Sequence, residues 1–507
     1  MVLYIRMKNM RLHKIVQDLQ KHAVLIAIVL LIPLAYSVIV SGYSYTFDND
    51  ELANVQIIYH MAHGKFPYLS FFTTYTPLLH WLLTPVFALL GFTFHAIHGS
   101  RVVMIILFGI RVIASGAIVS LLLGQWVALS FILLFLLDPF TVFNGMQVRP
   151  DNLMMTIYIL GLFLLLLSVM KKRVAGIALA GGFIGISLLA MIKIIPSILM
   201  LIIFFFWKSA RQRDFRPFRV FLAGFLAPIV LFTLYFLFQN ALAPMFTHVV
   251  IYAKAHIDAV RNPALLGIFY WPDNGYIYGF MGRPPSWWYA WILPVFAFPS
   301  ALKAVISYSS KGEKNTKDFV LGILGASLFA HYIGMLFIRS VYTQYFVSLS
   351  WLYVLFFVLT IRDVLMIQFE NPWMKKSLIL FLLVCFSILY SSSIQGNLYR
   401  ASQFSARELE AKITSRWRMM PLETPVFFDY LFRPLAYPIP YGFFYGEIPG
   451  RALAKMPDMA GELARQQLPR LVIGQYAFQF LPSNAQSYIH AHYDQLKEDA
   501  DVWVRNN

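Results

Sequence analysis

Acids and bases able to act together fall in four stretches of this 507-residue chain. The run TFDNDEL holds Asp48, Asp50 and Glu51, QVRPDN holds Arg149 and Asp151, MIKIIPS holds Lys193, and a later stretch holds Arg339, Tyr342, Gln344 and Tyr345. A carboxylate beside a substrate hydroxyl takes its proton as general base. Lysine and arginine do complementary work by holding an anion, such as a phosphate, as its charge develops. Asp48 and Asp50 are also the candidates for a divalent metal ion, which prefers oxygen ligands. His60 and His63 lie one turn apart, but without a third ligand they read as interfacial residues. Each candidate also has a plainer task. The three acids of TFDNDEL would suit a helix amino terminus, Asp151 would cap the helix that follows it, and Lys193 and Arg339 would reach lipid headgroups.

The elements that must position these residues are apolar. Hydrophobic residues make up 59% of the chain, charged residues 13%, and the mean hydropathy is +0.65. A soluble domain carries roughly 25% charged residues, so the composition excludes a wholly water-facing fold. The net charge of +17 lies mostly beside apolar segments, which argues against a nucleic-acid partner. The single cysteine, Cys385, excludes an intramolecular disulfide and a cysteine-rich metal centre. Apolar runs at about 22–41, 101–123, 125–140, 153–170, 174–192, 194–207, 220–238, 287–307, 319–338, 345–361 and 377–394 predict an α-helical integral membrane protein with about eleven transmembrane helices. The run after Lys21 reads as a first anchor, because no small-residue cleavage pattern follows it.

Segment 76–92 (TPLLHWLLTPVFALLGF) decides which loops share a face. Lying flat, it leaves 20 lysines and arginines in cytoplasmic stretches, against nine elsewhere before residue 395. Spanning, it would move Lys171, Lys172, Arg173 and the basic stretch 208–219 outside, against the positive-inside rule. Pro77 and Pro85 also suit an interfacial helix. The first outer loop, about 42–100, then carries two interfacial helices, near 51–63 and 76–92, and all four acid–base stretches lie on the outer face. Arg111, about 15 Å further along its helix than Arg101, needs a buried polar partner.

The succession DE at 50–51, an amphipathic helix, Gly64–Lys65, Tyr75-Thr76-Pro77-Leu78, Leu90–Gly91, Arg101, then Asp151 and Lys193 resembles the GT-C superfamily of polyprenyl-phosphate-sugar-dependent glycosyltransferases. The branch it most resembles holds the protein O-mannosyltransferases and the lipid A aminoarabinose transferases. The resemblance covers roughly the first 200 residues in motif order and the remainder in layout. It departs at Tyr75-Thr76-Pro77, where the aminoarabinose transferases carry Glu-Lys before the proline. The resemblance implies Asp50 as catalytic carboxylate, with Glu51 and Asp151 beside it and Lys193 on the donor side. Arg149, Arg339 and Tyr345 complete the expected donor-phosphate set. It also implies a polyprenyl-phosphate sugar donor, an extracytoplasmic acceptor (glycan, lipid or protein) and a bacterial inner-membrane location with the amino terminus in the cytoplasm. A divalent metal stays open as cofactor.

Beyond residue 394 the composition turns mixed, with twelve basic and eleven acidic residues in 395–507. Strand-like runs at 425–428, 470–474 and 501–504 and helical patterns at 451–467 and 484–497 predict a small extracytoplasmic α/β domain after a membrane domain over 1–394. Two other classes share the composition. A transporter or flippase of lipid-linked glycans would hide paired ionisable groups at mid-membrane, and a membrane scaffold would need no convergence of acids and bases. The loop 239–286 is aromatic and mixed in charge, fitting either a substrate cover or a headgroup-level segment.

Overall fold

The computed structural model describes residues 25–252, 287–311, 316–336, 343–369, 371–403, 405–420, 458–473, 478 and 481–506. In chain order these form α1 (Leu25–Ser44), α2 (Asn49–Ala62), α3 (Leu78–Leu90), α4 (Phe94–Leu123), α5 (Gln125–Leu137), α6 (Pro139–Asn144), α7 (Pro150–Met170), α8 (Val174–Ala190), α9 (Ile195–Gln212), α10 (Arg216–Phe238) and α11 (Leu242–Phe246). There follow α12 (Trp287–Lys311), α13 (Thr316–Leu336), α14 (Ser350–Leu365), α15 (Pro372–Gln403), α16 (Ala406–Met419), α17 (Met459–Gln466), β1 (Arg470–Val472), α18 (Ser483–His492), β2 (Tyr493–Gln495) and β3 (Val502–Arg505).

Crossing a bilayer takes about 20 apolar residues, because the backbone must satisfy itself over roughly 30 Å of hydrocarbon. Seven of the described helices are long and apolar enough: α1, α4, α7, α9 with the turn before it, α10, α13 and α15. The eleven expected spans need α5, α8, α12 and α14 as well, whose apolar stretches are shorter and coincide with the remaining apolar runs. Tight turns at Gly124, which adopts a φ of +92°, and at 171–173 and 213–215 reverse the chain between neighbours. Asp48 and Asp50, Arg149 and Asp151, Lys193 and Tyr345 consequently lie together towards one end of the bundle, and Lys171–Arg173 and Arg211–Arg219 towards the other.

The segment 76–92 lies across the acid–base end. The Thr76 hydroxyl, just before α3, donates to the carbonyl of Ala190 at the end of α8 (3.0 Å). At the far end of α3, Leu90 and Val86 stand over Gly99 in the first turns of α4, leaving no room for a Cβ there. Both ends of α3 thus touch the same end of the bundle, and its Leu79, His80, Leu83 and Phe87 are buried.

Small residues set the closest helix pair. Gly181 and Gly185, four apart on α8, face the backbone of Phe221 and Phe225 on α10, and Gly224 faces the backbone of Ala178 in return. A side chain at any of the three would meet main chain that cannot rotate away, the close approach that small residues permit between membrane helices. Gly224→Leu is therefore expected to cost about 1–3 kcal/mol or more by overpacking and to lower the melting temperature in detergent. Gly109→Ala on α4, with open space around it, should not. Equal melting temperatures would contradict this packing.

At the carboxyl-terminal side, α15 runs without a break through position 394 to Gln403, so the change of composition at 395 falls inside a helix. Ser405 caps α16, which rests on the first loop. Tyr45 pairs with Ser405 in an isolated bridge, His98 bonds Glu410 at 2.7 Å, and Trp417 stacks on Phe94 at 5.2 Å. Beyond it, β1, β3 and β2 form an antiparallel sheet in that order, and Arg416 ties α16 to Asp499 (2.7 Å) and Asp501 (2.8 Å) in the turn before β3. The helical pattern of 484–497 ends at His492, because Tyr493–Gln495 pair with β3 instead. The expected strand at 425–428 lies outside the described residues.

Candidate active site

Glu51 sets the frame. It lies one residue beyond Asp50 on α2, roughly 100° round the helix, and is fully buried. Its carboxylate receives Arg101 of α4 at 3.0 Å through Nε and 2.5 Å through Nη2. The same carboxylate accepts the backbone N–H of Asp48 (3.1 Å), which starts α2, and that of Val148 (2.9 Å) in the second loop. Arg101 spends its remaining donors on the carbonyls of Tyr43 (3.2 Å), Tyr45 and Thr46 (3.0 Å), and its guanidinium stands 4.4 Å from the centre of the Phe47 ring. The geometry thus commits Glu51 to holding the first loop, the second loop and α4 together.

Asn54, one turn further on α2, grips the same second-loop residue. Its Nδ2 donates to the carbonyls of Asp50 (2.7 Å) and Val148 (3.2 Å), and its Oδ1 pairs with His80 of α3 at 2.9 Å. Val148 has both main-chain polar groups bound by α2, and Arg149, the next residue, is extended before Pro150 opens α7. Proline fits that first helical position because its missing N–H would have no helical partner.

Arg149 is the centre of the site. Its guanidinium meets Asp48 at 2.9 Å through Nη1 and Asp50 at 2.5 Å through Nη2, while Asp151 stands 3.8 Å from Nε. Asp151 turns its other oxygen to Lys193 (2.8 Å), whose ammonium lies 4.5 Å from the centre of the Tyr345 ring. Three of the four stretches therefore converge, together with Tyr345 of the fourth. Arg339 and Tyr342 lie outside the described residues. Exposure separates the carboxylates: the side chain of Asp151 is 3% exposed, whereas those of Asp48 and Asp50 are 29% and 28% exposed and can meet a substrate.

Desolvation and the like charge of Asp50 push the Asp48 carboxyl up to about 6 against the pull of Arg149. Burial and the charge of Asp50 hold the Tyr75 phenol well above its ordinary value, so it stays a neutral hydrogen-bond donor beside the acids. A raised carboxyl takes up a proton in the folded protein before it would in the unfolded chain, so this contribution to stability falls as pH rises from about 4 through 6. Asp48→Asn is expected to raise the melting temperature at pH 7.5, with the difference closing by pH 4.5. A variant less stable than wild type at pH 7.5 would contradict this balance of charges.

The arrangement does not fit a divalent metal at Asp48 and Asp50, since both carboxylates are spread around a guanidinium where a shared cation would stand. Among the described residues no group of three His, Cys, Asp or Glu is placed to hold a metal ion. His60 and His63 take separate partners: His60 pairs with Gln56 (3.0 Å) and is pushed down to about 4 by burial, while His63 bonds the carbonyl of Tyr59 (2.8 Å). Arg111 reaches Asn152 at 3.4 Å and packs 5.0 Å from the centre of the Phe108 ring. Of loop 239–286, the described part brings His248 against Phe72 (4.6 Å). Asn54 and His80 carry no motif. The usable signal for Asn54 is its spacing of three from Glu51, which puts both on one helix face.

No family model matches this chain, and no curated protein does. Among solved structures, the apo oligosaccharyltransferase of Archaeoglobus fulgidus is similar to it with a TM-score of 0.55 and 12% identity, over 92% of this chain and 73% of that one. ArnT of Cupriavidus metallidurans bound to undecaprenyl phosphate is similar with a TM-score of 0.44 and 12% identity, over 82% of this chain and 85% of that one. The likeness to the Archaeoglobus structure shows a shared fold.

Proposed function

We propose that this protein is a membrane glycosyltransferase that moves a sugar from a polyprenyl-phosphate donor to a hydroxyl-bearing acceptor outside the cytoplasm, with inversion at the anomeric carbon. The observation that carries the reading is the convergence on Arg149 of a first-loop aspartate, a second-loop aspartate and, through the latter, Lys193, at one end of an apolar bundle. The fold shared with an oligosaccharyltransferase supports it.

In this reading the acceptor oxygen attacks the anomeric carbon, its proton passes to Asp50, and the bond from that carbon to the phosphate oxygen breaks. The lipid phosphate leaves as an anion and needs no acid. A sugar alkoxide would need one, which is why glycoside hydrolysis uses a second, protonated carboxyl. The leaving charge needs cations instead, and Lys193 and Arg149 stand nearest to supply them, with Arg339 the further candidate. Asp151, too buried to meet the acceptor, orients both cations, and Glu51 positions the loops. Apolar helix faces would take the isoprenoid chain while the loops above remain wet. The carboxyl-terminal domain, braced on the first loop through α16, would face the acceptor.

The reading is tested by comparing cell-envelope glycans and lipid-linked sugars in cells with and without the protein. Loss of one sugar modification with accumulation of a polyprenyl-phosphate sugar is the expected result. Unchanged glycans and lipids would reject it.

A further inference from the structure

We propose that Asn54 and His80 are positioning residues for transfer, fixing the second loop's Arg149 and Asp151 against Asp50 through one side-chain amide. The inference rests on the transferase reading above. Asn54 is fully buried, and its single NH2 group is shared between two carbonyls. One belongs to Asp50, the proposed base, and the other to Val148, the residue before Arg149. A shift of the second loop against α2, the helix that carries both Asp50 and Asn54, would break the Val148 bond and leave a buried polar group without its partner, which costs more than the bond itself contributes. The distance between base and cations is thereby tied to an amide that bonds main-chain carbonyls and none of the charged groups.

His80 completes the device. Because the Asn54 nitrogen is occupied by two acceptors, its oxygen must face the imidazole at 2.9 Å, and His80 therefore donates through Nε2–H. His80 is itself fully buried on α3, the helix lying across the end of the bundle. The amide is thus oriented from a third element, so rotation of Asn54 would cost the His80 bond as well. Glu51 holds the Val148 N–H from the same face of α2, so the residue is bound at both main-chain groups. Removing Asn54 leaves the Glu51 contact in place, which makes a folded but misaligned site the expected consequence. A displacement of about 1 Å at a reacting centre costs on the order of 100-fold in rate.

The test uses the full-length protein with a polyprenyl-phosphate sugar as donor. Asn54→Leu, close in volume but without hydrogen bonds, should lower kcat at least tenfold with the donor KM changed less than threefold. His80→Gln, which can still donate to Asn54, should stay within threefold of wild type, whereas His80→Phe should fall with Asn54→Leu. Combining Asn54→Leu with Arg149→Lys should be less harmful than the product of the two single effects, because both act on the placement of one guanidinium. A folded Asn54→Leu with wild-type kcat, strict multiplication in the double variant, or His80→Gln as poor as His80→Phe would each overturn the proposal. If Asn54→Leu does not fold, the two His80 variants decide alone. Wild-type turnover separates the two readings: without it the transferase reading falls and the positioning role with it, whereas with it only the variants bear on Asn54 and His80.

Discussion

Asp50→Asn is expected to leave a folded protein that still binds donor while lowering transfer by about 100-fold or more, the scale of losing general-base help. Asparagine keeps the shape of the side chain and can still accept from Arg149, which holds Asp50 at 2.5 Å, but it cannot take the acceptor's proton. Asp48 is the proper control. It is similarly exposed, bonds the same guanidinium, and carries the same charge, so Asp48→Asn reports loss of local negative potential without loss of the base. Its effect on single-turnover transfer should be smaller. If Asp48→Asn abolished transfer while Asp50→Asn preserved it, the base would be Asp48, and if neither mattered the carboxylate cluster would have no part in the reaction.

The second large effect is on stability. Arg101→Ala should cost about 3–5 kcal/mol, because it leaves the Glu51 carboxylate charged, fully buried and without its counter-ion. Glu51→Gln should cost less. The arginine would keep the carbonyls of Tyr43, Tyr45 and Thr46, and glutamine would keep an oxygen for the Val148 N–H. Replacing both residues with apolar ones should recover part of the loss, since a buried pair removed whole is far less costly than one halved. The measurement is thermal inactivation in detergent across the three variants, and an Arg101→Ala protein as stable as wild type would contradict the pairing.

Glu51 also shows where sequence reasoning reaches its limit. It ranks beside Asp50 as a catalytic acid because the two are adjacent, yet one step along α2 turns a side chain by about 100°. That rotation sends Glu51 inward to Arg101, fifty positions away, while Asp50 faces Arg149. Such pairings depend on how helices pack, which local spacing does not encode. The apolar runs were legible because hydrocarbon tolerates no unsatisfied backbone, so each helix had to be written as a continuous stretch. Asp50, Asp151 and Lys193 were legible as separate charged stretches, and packing brings their side chains together around Arg149. Asn54 was not, since an asparagine in ELANVQ looks like any other polar helix position until Val148 is placed against it. The strand Tyr493–Gln495 was hidden inside a helical pattern for the same reason, its partner β3 being a non-local pairing.

The most direct test of the central reading follows a polyprenyl-phosphate sugar in liposomes carrying the purified protein and an envelope extract as acceptor. Sugar transfer predicts consumption of the donor with release of an equal amount of polyprenyl phosphate, and a product of inverted anomeric configuration. Movement of the intact lipid-linked sugar between leaflets with no polyprenyl phosphate released would contradict it and make the protein a transporter.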